Sequence, residues 1–259
     1  MRFLLYNIRY AAGIGRHCHL PVPYSGYFKN TNGNLKKITD FIASVNPDII
    51  GLIEVDSGSF RSEKNNQAEA IAWQLQHDHI YQSKYSSSSM AQKLPLLNKQ
   101  GNAILTNQEI VSQRFHYFRD GVKRLVIELE LAEFSIFLVH LSLKFRHRQY
   151  QLQDLHSMIK NVEKPVLVAG DFNVLRGDRE LQLFLAATGL RNANSTSQPS
   201  YPSRAPRRQL DYIFHTPHIR ITGFQIPQVK LSDHKPLVCE FELATQRSFH
   251  PAAAFRQQN

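Results

Sequence analysis

Apolar side chains at Leu35, Ile38, Ile42 and Val45 recur at three- and four-residue intervals, the spacing of one helix face, and Asn46-Pro47-Asp48 ends that pattern. The same spacing at Ala68, Ile71 and Leu75, at Leu152, Leu155, Ile159 and Val162, and at Leu181, Phe184 and Leu185 ahead of Gly189 predicts further helices. Short apolar runs fill the intervals and read as strands at residues 3–8, 49–55, 102–106, 122–131, 134–141, 166–169, 210–215, 219–226 and 236–243. Helices and strands alternate irregularly, with hairpin-like strand pairs at 122–141 and near the C-terminus, which argues against a purely parallel doubly wound sheet. The pattern predicts an α+β chain in which two packed mixed sheets carry helices on their outer faces.

At 259 residues the chain can bury one sizeable core, so a single domain over residues 1–243 is expected, with a loosely held tail at 244–259. No internal repeat or linker divides it, and residues 86–89 form a short low-complexity loop. Hydrophobic residues at 42% and charged ones at 20% fit an ordinary globular protein, not a disordered or fibrous one. No apolar stretch is long enough to span a bilayer, and the opening run from Met1 to Asn7 reads as a first strand and not as a secretory signal. The two cysteines, Cys18 and Cys239, do not resemble a disulfide framework, so a cytoplasmic setting is expected. Lys and Arg outnumber Asp and Glu by 31 to 21, and a formal charge of +10 favours anionic partners such as nucleic acid or lipid phosphate. Nothing in the sequence predicts an obligate protein partner, and it leaves the oligomeric state open.

Polar residues break this pattern at informative places. Asn7, Glu54, His140, Asp171 with Asn173, and Asp233 with His234 each interrupt or terminate an apolar strand. Taken singly, Gly170-Asp171-Phe172-Asn173 reads as a turn built on Asx chemistry and Ser232-Asp233-His234 as a surface loop. Taken together, carboxylates, amides and imidazoles at successive strand ends make a poor set of turns and a good set of ligands for a hard cation, Mg²⁺ or Mn²⁺. His17-Cys18-His19 suggests zinc at first sight, but adjacent residues do not readily converge on one tetrahedral ion.

The ordered series Tyr6-Asn7-Ile8-Arg9, Gly51-Leu52-Ile53-Glu54-Val55, Gly101-Asn102-Ala103-Ile104-Leu105, Val139-His140-Leu141, Gly170-Asp171-Phe172-Asn173, Leu210-Asp211-Tyr212-Ile213-Phe214 and Ser232-Asp233-His234-Lys235-Pro236 resembles the endonuclease/exonuclease/phosphatase superfamily from its first strand to its last. The resemblance implies a four-layer αββα sandwich with one metal-centred site between the sheets. It implies Glu54 as the principal metal ligand, Asn7 beside it, and Asp233 as a further direct or water-mediated ligand. By the same resemblance Asp171 orients or deprotonates the attacking water, and Asn173 positions water, metal or phosphate. His234 contacts the scissile phosphate while Asp211 accepts its second ring proton, and His140 makes a second phosphate contact. The implied reaction is Mg²⁺- or Mn²⁺-dependent hydrolysis of a phosphodiester.

Departures from the family pattern bear on the substrate. Val139-His140-Leu141-Ser142-Leu143 stands where abasic-site endonucleases of the exonuclease III type carry a tyrosine-containing strand, and Arg9 stands where those enzymes often place an acidic residue. The histidine version is more similar to the deoxyribonuclease I, sphingomyelinase and phosphoinositide phosphatase branches. Arg204, Arg207 and Arg208, just before Asp211, and Arg124 in the strand 122–131 are candidate phosphate contacts, although a solvated basic loop reads equally well. Lys144, Arg146 and Lys235 rank behind them, Tyr201 is placed to stack a base, and Tyr212 belongs to the core. Nucleic acid stands ahead of lipid because of the charge and the lack of an apolar membrane-inserting loop. A phosphomonoesterase or a phospholipid, sphingomyelin or phosphoinositide phosphohydrolase remains the alternative. A silent phosphate-binding module would have replaced Glu54, Asp171 or His234, and none is replaced.

Overall fold

The computed structural model describes residues 1–14, 30–85, 97–121 and 123–244. In chain order its first strands and helices are β1 (Arg2–Asn7), α1 (Asn32–Val45), β2 (Ile49–Asp56), α2 (Gln67–Leu75), β3 (Asp78–Ser83), β4 (Gln100–Thr106), β5 (Ile110–Tyr117), β6 (Leu125–Leu131) and β7 (Ser135–His140). There follow α3 (Phe145–Ile159), β8 (Val166–Asp171), α4 (Gln182–Thr188), β9 (Arg191–Asn192), β10 (Asp211–His215), β11 (Ile219–Gln225) and β12 (Leu237–Leu243). The strands form two six-stranded mixed sheets, ordered β11-β12-β1-β2-β4-β3 and β5-β6-β7-β8-β10-β9. Within them β1 runs parallel to β2 and β7 parallel to β8, while the remaining neighbours are antiparallel.

Alternation along the central strands explains the four layers. In β1, Phe3 and Leu5 enter the core shared by the two sheets, whereas Leu4 and Tyr6 pack with Leu35 and Ile38 of α1. In β7, Ile136 and Leu138 face the other sheet while Phe137 and Val139 meet Leu152 and Leu155 of α3. A strand covered on both faces has no solvent side to carry polar residues, which is why these segments read as continuous apolar runs. The expected αββα sandwich is the observed one.

Three strands escape the sequence pattern, β3, β5 and the two-residue β9, and all lie on edges. β3 ends the first sheet and β5 the second, and each is half exposed and rich in polar residues, so neither gives a run of apolar positions. The strand expected at 122–131 pairs only from Leu125, and α3 begins at Phe145, well before its buried apolar face starts at Leu152, because its opening turns are basic and mostly exposed. Cys18, the His17-Cys18-His19 triplet, the loop 86–89 and the tail beyond 244 lie outside the described residues.

The close approach of β8 to β7 requires glycine near the end of the strand. A Cβ on Gly170, whose φ is +156°, would lie 1.9 Å from the Val139 carbonyl oxygen on the parallel neighbour β7. Backbone of a core strand cannot give way cheaply, so Gly170→Ala is expected to lower unfolding stability by about 2 kcal/mol or more. Urea denaturation followed by circular dichroism reads this directly, and an unchanged midpoint would contradict the close approach.

Candidate active site

Register sets which side chains meet. His140 pairs with Asp171 across β7 and β8, and Asp171 pairs with Asp211 across β8 and β10, so three polar residues stand side by side at one end of the second sheet. On the first sheet, Asn7 closes β1 opposite Ile53 of β2. Asn7 Nδ2 donates to Asp171 Oδ2 at 3.1 Å and thereby joins the two sheets at this end of the sandwich.

Glu54 enters by a different device. Along β2, Ile49 and Ile53 belong to the core between the sheets and Ile50 and Leu52 to the helix side, yet Val55, two residues after Ile53, lies on the helix side. That break in parity is a β-bulge: pairing with β4 shifts between Leu52 and Val55, and Glu54 takes a left-handed backbone with φ 58°. Its N–H donates to Asn102 Oδ1 at 3.2 Å. The extra residue frees the carboxylate from the alternation that would have buried it against apolar side chains.

Around Asp171 the contacts are dense. The Asn173 N–H donates to Oδ1 at 3.0 Å, His140 Nε2 stands 3.4 Å from Oδ2, and His234 Nε2 lies 3.9 Å from the same oxygen. Asn173, in a left-handed turn with φ 53°, donates its amide to the Leu141 carbonyl at 2.9 Å. Asp211 receives His234 Nδ1 at 2.9 Å and the Ser200 hydroxyl at 2.5 Å. The loop bearing Asp233 and His234 is fixed by Ser232, whose hydroxyl donates to the Asn7 carbonyl at 2.7 Å, and by the Ser203 N–H, which donates to the Asp233 carbonyl at 2.7 Å. The Asp233 carboxylate remains partly exposed and faces Arg9 Nε at 3.5 Å. Glu54 Oε1 lies 4.0 Å from His140 Nε2 and 3.8 Å from Lys123 Nζ, and Lys123 also contacts His140 Nε2.

Charge is distributed unevenly over these groups. Burial disfavours the anion at Asp171, but His140, His234 and Lys123 outweigh it and hold the carboxyl well below the usual carboxylate range. Burial and the Lys123 ammonium push His140 down, towards the neutral ring. Burial also works against charge on His234, yet Asp211 and Asp171 prevail and raise its pKa to about 10. We therefore assign the Asp211–His234 pair as carboxylate and imidazolium, the form that the Ser200 hydrogen bond to Asp211 supports. The ligand atoms of Asp171, Asp211 and His234 lie within 4.8 Å of one another, a set able to hold a metal ion.

Asn7, Glu54, His140, Asp171, Asn173, Asp211, Asp233 and His234 are thus linked by a continuous series of contacts. The basic candidates are not. Arg204, Arg207 and Arg208 are exposed, and the last two line a separate cavity of about 350 Å³ with Asp178 and Gln209. Among the described residues, no contact of the Arg124 side chain with these groups is found; its neighbour Lys123 is the one that reaches in. Lys235 is buried and turns to Gln228, and Arg146 donates to Tyr150 at 3.3 Å. The Tyr201 ring lies 4.8 Å from that of His234, whereas Tyr212 is buried against Phe214. The loops after His140 and Asn173 also expose Leu143, Phe145 and Leu175, an apolar rim that the sequence reading did not anticipate.

With this geometry established, the profile of the Endonuclease/Exonuclease/phosphatase family matches residues 4–234. The chain belongs to that family. Among curated relatives, a UPF0294 protein of Erwinia tasmaniensis is 31% identical over 123 residues, which cover 47% of this chain and 45% of the relative. The chain spans about half the length of the curated relatives it matches. Among solved structures, a functionally unknown conserved protein from Enterococcus faecalis V583 superposes with a TM-score of 0.70 at 14% identity, covering 94% of this chain and all (100%) of the other. The human Nocturnin catalytic domain with bound sulfate gives a TM-score of 0.65 at 21% identity and 94% coverage of both chains. At these identities the structural likeness shows the fold alone.

The raised pKa of His234 gives the family fold a testable pH dependence. A histidine held at about 10 in the native state and near its ordinary 6.5 when unfolded adds stability that is complete below 6.5 and is lost as pH climbs towards 10. In the presence of chelator, the stability gap between wild type and His234→Gln should be widest near about pH 6 and should close by about pH 10. Urea titrations across that range read the gap, and a constant difference would rule out the imidazolium–carboxylate pair.

Proposed function

We propose that this chain is a hydrolase of phosphodiesters that works with a bound Mg²⁺ or Mn²⁺. The observation that carries the reading is the joining of a bulge-presented carboxylate, Glu54, to a buried Asp171 and a buried Asp211–His234 pair in one pocket. Oxygen donors from Glu54, Asn7 and Asp233 suit a hard cation, and the Lys123 ammonium beside Glu54 marks this as a place where positive charge is favoured. The alternative set of Asp171, Asp211 and His234 is a weaker seat, because His234 Nδ1 and the Ser200 hydroxyl already occupy Asp211. When bound, the cation would neutralise charge growing on the phosphoryl oxygens and help polarise the attacking water.

The protein's own groups supply the rest. Asp171, held ionised, accepts a hydrogen bond or proton from the water at Oδ2, and the Asn173 N–H on Oδ1 fixes its plane. His234 turns Nε2–H towards the pocket while Asp211 holds Nδ1–H, which sets ring orientation and keeps an imidazolium ready for a non-bridging phosphate oxygen. Neutral His140 stands between Glu54 and Asp171 and offers a second contact to phosphate.

The net charge of +10 and the Tyr201 ring beside His234 favour a nucleic-acid substrate. A second reading, a phospholipid or sphingomyelin headgroup, is favoured by exposed Leu143, Phe145 and Leu175 at the rim, interleaved with Lys144, Arg146 and Arg176. Plasmid DNA, single-stranded RNA, sphingomyelin vesicles and inositol phosphates, each with Mg²⁺ or Mn²⁺, separate these classes. On bis(p-nitrophenyl) phosphate, Glu54→Ala and His234→Ala are each expected to lower metal-dependent kcat/KM by roughly 10³-fold, and chelator to abolish turnover. Retention of activity within about tenfold of wild type by either folded variant would refute the assignment.

A further inference from the structure

Three consecutive residues, none of them glycine, leave β1 in a left-handed turn: Arg9, Tyr10 and Ala11 have φ of 50°, 53° and 56°. A left-handed backbone is unfavourable for residues with a Cβ, and strain of this kind persists where the surroundings over-determine it. What fixes the turn is Tyr10. Its buried ring has the Arg61 guanidinium 4.5 Å and the Lys84 Nζ 5.4 Å from its centroid. Asp56 neutralises Arg61 at 2.8 Å, in a pair with no exposed side-chain surface (0% for both).

Among the described residues Lys84 has no such counter-ion. Its Nζ donates to Tyr10 Oη at 2.9 Å, and Tyr10 in turn donates to Gln100 Oε1 at 3.2 Å. An ammonium carries three N–H donors, and among the described residues this is the single hydrogen bond that the Lys84 ammonium makes, its backbone N–H going to the Gln100 carbonyl. Burial pushes its pKa down to about 8, with Glu54 pulling upward and Lys123 and Arg61 pulling down, so the ammonium lies within the fields of both Glu54 and Lys123. Two lysines therefore share one carboxylate, with Lys123 at 3.8 Å from it. Two ammonium groups with one carboxylate between them leave an excess of positive charge in a half-buried place, and a cation at Glu54 would add to that excess.

We propose that Lys84, oriented by Tyr10, forms with Lys123 a subsite for a second phosphoryl group, so that the site takes a ligand bearing two phosphates. The inference rests on the hydrolase reading for its placement: the scissile phosphate lies against His234 and His140, and the second lies towards β3, on the far side of Glu54. Lysine suits the task, being a point charge that follows a phosphate without demanding the planar fork of arginine.

Isothermal titration of the full chain with inorganic pyrophosphate and with orthophosphate, in chelator, reads the subsite without turnover. Wild type is expected to bind pyrophosphate at least about tenfold more tightly than orthophosphate, a gap of about 1.4 kcal/mol. Lys84→Met should remove most of that preference and Lys84→Arg should keep most of it. Equal affinity for the two anions in wild type, or an undiminished preference in folded Lys84→Met, overturns the proposal. If Lys84→Met does not fold, Tyr10→Phe, which keeps the ring and deletes the oxygen that orients the ammonium, is read by the same ratio: a fall supports the subsite and no change overturns it. Competition by a 5′-phosphorylated dinucleotide and by inositol 1,4-bisphosphate, each against its counterpart with one phosphate fewer, identifies the source of the second phosphate; no advantage in either arm also overturns the proposal. A chain that prefers pyrophosphate yet hydrolyses no diester would sink the hydrolase reading alone, and an active hydrolase without that preference would sink the subsite alone.

Discussion

A carboxylate buried and ionised at Asp171 is tolerable only if donors surround it, and those donors come from both sheets. Asn7 and His234 reach it from the first sheet and the segment between β11 and β12, while His140 and the Asn173 backbone reach it from the second sheet and its loops. Pulling the sheets apart would leave that charge without compensation, so the same contacts that close this end of the sandwich also assemble the pocket. Stability and chemistry are hard to separate here, because the groups that neutralise Asp171 are also those placed to meet a phosphate.

The pocket is also divided by sign. Towards β10 and the loop of Asp233, carboxylates outnumber their cationic partners; towards β3, lysines outnumber the carboxylate they share. Glu54 stands at the boundary, and a polyanion with a divalent cation would complement both halves at once. Preorganised charge of this kind costs folding energy and returns it on binding, which is consistent with strain in the Arg9–Ala11 turn and at Glu54.

Much of this was legible in the sequence where polarity departed from pattern. Glu54 in an apolar run, and Asn7, His140 and Asp171 at strand ends, are conspicuous because strands covered on both faces leave little reason for a polar residue. Edge strands gave no such contrast: β3 and β5 are partly exposed, so their polar residues follow from position alone, and Lys84 just beyond β3 carried no signal. Lys123 was passed over for Arg124 because only the pairing that starts at Leu125 decides which neighbour turns inward. Tyr10 was invisible for another reason, since a left-handed turn without glycine has no sequence signature. The arginines at 204, 207 and 208 were close to Asp211 along the chain, yet they project into solvent because the segment folds back through the Tyr201–Arg208 bridge.

The bulge in β2 has a consequence for how such a protein can change. Strand alternation ties every side chain to a layer, so converting a core position into a charged one would ordinarily disturb its neighbours; an inserted residue instead adds a reactive group while leaving the flanking Ile53 and Val55 in apolar layers. Acquisition or loss of the carboxylate is then nearly independent of the core, and a descendant lacking it could remain well folded while its substrate diverged or its chemistry fell silent.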